Sequence, residues 1–272
     1  MGRRITKKAC ALAVMTKVPE AGSSKTRLTP PLTATEAAAL SASFLRDRCD
    51  NIAQISLDGT AAGVAIYTPL GSEEFFNRLL PGSFGLIGQR GRTFGERLFN
   101  ASEDLLSLQY KSFCLIDSDS PTLPAAFLRG AVSALARPGD RVVLGPAEDG
   151  GYYLIGLKKA HRHLFEDIDW STSKVLKQTI TRAKEINLPV IMLPAWFDVD
   201  DAATLRQLCN ELFATNGKQV SDSVAYEAPH TRAYLSRLLR TDEVRQGIWR
   251  PATELNQSVS RWSGRCDLTE SV

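Results

Sequence analysis

Short runs of apolar and β-branched residues alternate along most of the chain with longer stretches of helical period. "CALAVMT" (Cys10–Thr16) and "SFCLI" (Ser112–Ile116) are continuous apolar runs of the kind that form buried strands. "AGVAIYT" (Ala62–Thr68), "FGLIGQ" from Phe84 and "LPVIMLP" from Leu188 add three more strands. Arg141–Leu157 reads as two strands around an acidic, glycine-containing bend. Between these runs the spacing predicts helices over Ala34–Ile55, over "SEEFFNRLL", over Thr93–Leu108 and over Phe127–Ala136. Two more are predicted through "STSKVLKQTITRAKEI" and after the acidic turn of "WFDVDDAATL". Leu98, Ala101 and Leu105 fall on one helical face, and Thr33 with Glu36 forms the S/T-x-x-E signature of a capped helix start. Strands alternating with helices predict an α/β sheet with crossover connections. After Gly217 the pattern weakens to one helix, Arg232–Arg240, and a polar tail. The expected organisation is therefore one domain over residues 1–216 and a helical appendage with a polar tail over 217–272.

Composition narrows the class without naming it. The 272 residues are 43% hydrophobic and 23% charged, the balance of an ordinary globule with a substantial core. A net charge of +3, evenly spread, gives no reason to expect a nucleic acid or membrane surface as partner. Five scattered cysteines without a CxxC pair suit reduced thiols in a cytoplasm better than a disulfide framework or a zinc site. The basic, apolar start "MGRRITKKACALAVM" lacks the length and cleavage site of a signal peptide, and its match to the myristoylation pattern is a loose one. No apolar run approaches the ~20 residues that span a bilayer.

Chemistry-bearing residues gather where strands end. In open α/β sheets ligands bind at the carboxyl ends of strands, near the point where strand order reverses. Pro19–Arg27, Asp117–Pro121, Glu148–Tyr152 and Asp198–Asp200 all follow expected strands. "KVPEAGSSKTRL" looks like a phosphate-binding P-loop, but that loop needs two glycines, and here Ser24 precedes Lys25 and Pro19 holds the earlier glycine position. What survives is a glycine-bearing turn presenting Lys25 and Arg27, a point charge and a planar fork suited to polyphosphate. Asp117 and Asp119, one residue apart, would point to one side of an extended segment and could share a hard cation such as Mg²⁺. Gly150-Gly151 permits close backbone approach to a ligand or a simple hairpin turn, and Asp201 is a good N-cap for the helix that follows it. His161 and His163 read as surface groups and His230 falls near the C-terminal helix, and no Ser-His-Asp, Cys-His or G-x-S-x-G arrangement supports nucleophilic catalysis.

Taken in order, "TKVPEAGSSKTRLTPPL", "FGERL", "LIDSDSPTLP", "LGPAEDGGYYLIGL", "WSTSKVL" and "FDVDDAATL" resemble the bacterial glycosyltransferase-A-like family. That family was long labelled a domain of unknown function, and some of its members are described as arsenosugar-biosynthesis glycosyltransferases. It belongs to the nucleotide-diphospho-sugar transferase superfamily. The resemblance runs from about Ala9 to Leu212. It implies a three-layer α/β fold with a mixed, mainly parallel sheet. It implies that Gly22, Ser23, Lys25, Thr26 and Arg27 hold nucleotide phosphates, and that Asp119 and Asp200, with Asp198 beside them, bind a divalent metal, Mg²⁺ or Mn²⁺. Asp149, Gly150, Gly151 and Tyr152 would line the acceptor or sugar pocket, with Trp170, Ser171 and Thr172 at its rim. The family usually has Gly at position 117, so Asp119 is preferred over Asp117 as the ligand. Lys25, Arg27, Asp119 and Asp149 are the expected catalytic residues. The implied activity is metal-assisted glycosyl transfer from a nucleotide-sugar to a small acceptor, or nucleotidyl transfer from an NTP to a phosphorylated acceptor. An inert sugar-nucleotide-binding protein on the same fold is the reading of another class.

Overall fold

A computed structural model describes residues 10–213 and 224–249. Seven strands form one sheet: β1 (Cys10–Lys17), β2 (Ala61–Thr68), β3 (Gly85–Gly88), β4 (Ser112–Ile116), β5 (Val142–Pro146), β6 (Tyr152–Leu157) and β7 (Val190–Met192). Their order is β3-β2-β1-β4-β6-β5-β7, and every pairing is parallel except the two that β6 makes with β4 and β5. The mixed, mainly parallel sheet that the family resemblance implies is thus borne out. Strand order reverses between β1 and β4, so a crevice opens above their carboxyl ends. Because β6 alone runs backwards, the turn joining it to β5 lies on that same edge.

Helices cover both faces. Alternate residues of β1 divide between them, with Cys10, Leu12 and Val14 packed on one side and Ala11 and Ala13 on the other. The first face carries α1 (Ala34–Ile55), α2 (Glu73–Leu79), α4 (Ala125–Ala136), α6 (Ala202–Phe213), α7 (Pro229–Leu238) and α8 (Asp242–Trp249). The second carries α3 (Phe94–Ser107) and α5 (Val175–Glu185). This is the expected three-layer arrangement, with a core on each side of the sheet.

Local chemistry explains where the helices begin. Thr33 and Glu36 close a reciprocal capping box on α1, and Thr93 and Glu96 do the same for α3. Asp201 Oδ1 accepts from the Ala203 and Thr204 amides at 2.9 Å each, so it caps α6 as its position suggests. Two starts differ from the sequence expectation. Helix α5 begins at Val175, because Ser171 takes φ 63° and the segment after it makes a turn closed by Val175 N–H to Thr172 C=O. Helix α7 begins at Pro229, before the expected Arg232, since its first amides have a partner from elsewhere: the buried Asp47 carboxylate of α1 accepts from His230 N at 2.9 Å and Thr231 N at 2.7 Å. The expected polar tail instead opens with a second helix, α8, over Asp242–Trp249, while the rest of the tail and the Gly217 junction lie outside the described residues.

Thr33→Ala should lower stability by about 1 kcal/mol in urea denaturation, the usual worth of an N-cap. Asp47→Ala should release α7 while sparing the sheet. Losing hydrogen bonds to a carboxylate costs about 2 kcal/mol, which predicts roughly 30-fold faster hydrogen exchange in α7 with β1 and β4 protection unchanged. Equal exchange in the two proteins would mean that Asp47 does not hold the helix.

Candidate functional site

The site is assembled around one lysine. Lys25 leaves β1 in a turn at φ 51° and carries its side chain back into the molecule, where only 6% of it is exposed. Its ammonium sits 2.9 Å from Asp119 Oδ1, 2.9 Å from Asp200 Oδ1 and 2.7 Å from the Val199 carbonyl. Burial alone would lower its pKa, but the two carboxylates outweigh that and hold it above the ordinary lysine value. The loop before it folds on itself rather than opening its amides as a P-loop does. Ser23 N and Ser24 N both donate to Glu20 C=O, and the buried Ser24 hydroxyl accepts from Glu20 N at 3.1 Å. Arg27 stays outside, 72% exposed, with Nη1 3.8 Å from Asp200 Oδ2.

Residues 117 and 119 do not share a ligand point, contrary to the reading of D-x-D as a common clamp. Asp119 faces Lys25, whereas Asp117 turns inward to Arg48 Nη2 at 3.3 Å and the Ser120 hydroxyl at 2.8 Å. Burial pushes the Asp117 carboxyl up to about 6 despite the opposing Arg48 charge. Arg48, fully buried in the middle of α1, also donates to the Ser120 carbonyl. One guanidinium therefore ties down both ends of the short loop that presents Asp119.

Asp200 arrives from beyond β7. Residues 196–199 run beside the β5 exit, with Glu148 N donating to Trp196 C=O and Val199 N donating to Asp119 C=O. That backbone pairing fixes the spacing of Asp119 and Asp200, which are eighty-one positions apart in sequence. Asp198 lies on the same segment and is pushed up to about 7, first by burial and then by the Asp149, Asp200 and Asp117 carboxylates.

Two clefts meet here. The first, about 360 Å³, is lined by Lys17, Lys25, Arg27, Gln89, Arg97 and the edges of Ser23, Ser24 and Thr26. The second, about 490 Å³, is lined by Phe94, Trp170, Tyr152, Gly151, Ser171, Thr172, Asp149 and Asp198. They share Met15, Arg27, Phe94, Asp119 and Asp200. Of the residues singled out in the sequence, Gly22 and Gly150 line neither cleft. Gly150 has a packing role: at φ 93° a Cβ there would stand 2.3 Å from Ser173 C=O, so glycine lets the β5–β6 turn touch the start of α5. Sequence reasoning missed Lys17, Gln89, Phe94, Arg97 and Arg48. The signal was present for Phe94 and Arg97 in "FGERL" at a helix start, and for Lys17 as the last residue of a strand. Arg48 gave none, since an arginine in an amphipathic helix ordinarily faces solvent.

Magnesium usually takes one or two carboxylates from a protein and completes its shell with water and phosphate oxygens. Asp119 and Asp200 converge on one point, which the Lys25 ammonium holds. Among the described residues no group of three or more His, Cys, Asp or Glu side chains is set to hold an ion. The donor chemistry fits a hard cation provided that a bound phosphate supplies further ligands.

Comparison with known proteins bears on the fold and the family. Residues 51–172 match the model of a family described as "Uncharacterized protein conserved in bacteria (DUF2064)". No curated protein matches the chain. Among solved structures, a protein from Desulfovibrio desulfuricans G20, provisionally described as a nucleotide-diphospho-sugar transferase, is 28% identical over 88% of this chain and 98% of its own, with a TM-score of 0.74. A cytidylyltransferase from Leptospira borgpetersenii is 9% identical, covering 90% of this chain and 98% of its own, with a TM-score of 0.48. Glucosyl-3-phosphoglycerate synthase from Mycobacterium tuberculosis is 12% identical, covering 80% and 86%, with a TM-score of 0.43. Residues 51–172 thus match the model of this bacterial family, and the chain has the glycosyltransferase-A-like α/β fold that it shares with the D. desulfuricans protein.

Proposed function

We propose that this protein is a transferase that binds a nucleotide or nucleotide-sugar in the basic cleft and passes a glycosyl or nucleotidyl group to a small acceptor in the aromatic one. The observation that carries this reading is the meeting of two clefts of opposite character at Asp119, Asp200 and Arg27. Transfer from a nucleotide donor develops negative charge on a departing phosphate, and groups fixed in advance around that charge stabilise it best. Lys17, Arg27 and Arg97 stand on the basic side for this purpose. Lys25 holds Asp119 and Asp200 at one fixed spacing. Asp119 and Asp200, with Asp198 beside them, would hold a divalent cation, which would supply further neutralisation of the phosphate charge. On the aromatic side Asp149 would take the proton of an acceptor hydroxyl, its Oδ1 oriented by a 2.8 Å hydrogen bond from Gly151 N. The 28% identical D. desulfuricans protein supports the nucleotide-diphospho-sugar class of donor.

Thermal-shift measurements with NTPs, nucleoside diphosphates and nucleotide-sugars, with and without Mg²⁺ or Mn²⁺, test the binding half of the proposal. A matching nucleotide at a hundredfold excess over its Kd should stabilise the protein by about 2.7 kcal/mol, a Tm rise of several degrees. Asp119→Ala should abolish the metal-dependent part of that rise. Absence of any nucleotide response in the wild type would overturn the reading.

Arg27→Ala, whose side chain is exposed and makes one long ion pair, should fold normally and weaken the nucleotide response about tenfold in Kd, as expected for loss of one charged phosphate contact. Mass spectrometry of the products then decides between the two transfers: a nucleoside diphosphate marks glycosyl transfer, and pyrophosphate marks nucleotidyl transfer.

A further inference from the structure

The walls of the aromatic cleft select among acceptors, an inference that rests on the transferase proposed above. Phe94 and Trp170 meet edge to face with centroids 5.1 Å apart and present apolar surface beside Tyr152. Five carboxylates line the same space, those of Asp117, Asp119, Asp149, Asp198 and Asp200, against a single lining cation, Arg27. Lys25 is committed to Asp119 and Asp200, and Arg48 to Asp117. Arg27 makes only a 3.8 Å approach to Asp200, and among the described residues neither Asp149 nor Asp198 forms an ion pair.

We infer that the acceptor is an uncharged polyhydroxy compound, a sugar or polyol without phosphate or carboxylate, laid with its C–H face on Trp170 and Phe94 and its hydroxyls toward Asp149 and Asp198. A phosphorylated acceptor would have to approach Asp149, a carboxylate with no ion-pair partner among the described residues, in a recess where charges are screened far less than in bulk water. A carboxylate oxygen accepts hydrogen bonds and donates none when ionised, so hydroxyl groups complement it and phosphate oxygens do not. The basic groups that suit phosphate are concentrated in the other cleft, where Lys17 and Arg97 stand. The acidic cleft thus suits an uncharged acceptor and disfavours phosphate, which the basic cleft suits.

Saturation-transfer difference NMR on the full chain tests this, with a panel of methyl glycosides and their phosphate esters as probes. The spectra are taken with and without the nucleotide that gives the largest thermal shift. The expected result is saturation transfer to at least one neutral glycoside, at least tenfold weaker binding of its phosphate ester, and loss of the neutral signal in Trp170→Ala. Because Trp170 also packs against Phe94, the charge argument has its own variant: Asp149→Asn should narrow the preference over the phosphate ester. Equal or tighter binding of the phosphate ester, or silence from every neutral probe, would overturn the inference. The nucleotide thermal shift on the same preparation keeps the outcomes apart. A shift together with preference for the phosphate ester overturns only the acceptor class, whereas no shift overturns the transferase itself.

Discussion

A buried ammonium held between two carboxylates organises the functional edge of this protein. Lys25 belongs to the loop after β1, Asp119 to the loop after β4, and Asp200 to the segment after β7. Without the lysine, two carboxylates of like charge would face one another across a partly desolvated gap. With it, three stretches of chain distant in sequence are fixed at one spacing. Replacing such a pair by apolar residues often costs a protein no stability. Arg48 and Asp117 repeat the device one layer deeper, and their charges hold the Asp119 loop from beneath.

The sheet makes this meeting possible. Parallel strands deliver their carboxyl ends to one edge, and the reversal of order between β1 and β4 opens a crevice there. The antiparallel β6 brings the Asp149 turn to that same edge, and the backbone pairing of residues 196–199 with the β5 exit and with Asp119 extends it. A basic cleft and an acidic, aromatic cleft are the outcome, separated by the carboxylates that both share. The proposed group transfer requires two substrates to meet at one point, and on that reading this division of charge would keep each on its own side.

How much was legible before folding can be judged from particular residues. Helix α1 lies at Ala34–Ile55 as the spacing predicts, because a capping box and a long apolar stripe are local signals. Asp201 caps α6 for the same reason. The starts of α5 and α7 were not legible. One depends on Ser171 adopting a positive φ, the other on a carboxylate from α1, far away in sequence. In the site, D-x-D suggested two acids on one side of an extended strand, but the chain leaves β4 at Ile116 and turns, so the alternation that the reading assumed has ended.

By itself the sequence determined most of the elements, the α/β class and the gathering of acids, bases and glycines at strand exits, since these follow from hydrophobic period and short-range hydrogen bonding. Only the tertiary structure decided which charges are spent on one another. Lys25 turns inward to Asp119 and Asp200, Arg48 is buried against Asp117, and Arg27 and Asp149 remain open to a substrate. The reason is physical. Hydrophobic period is written in neighbouring residues, whereas the pairing of charges depends on burial and on distances between segments that only the packed sheet brings together.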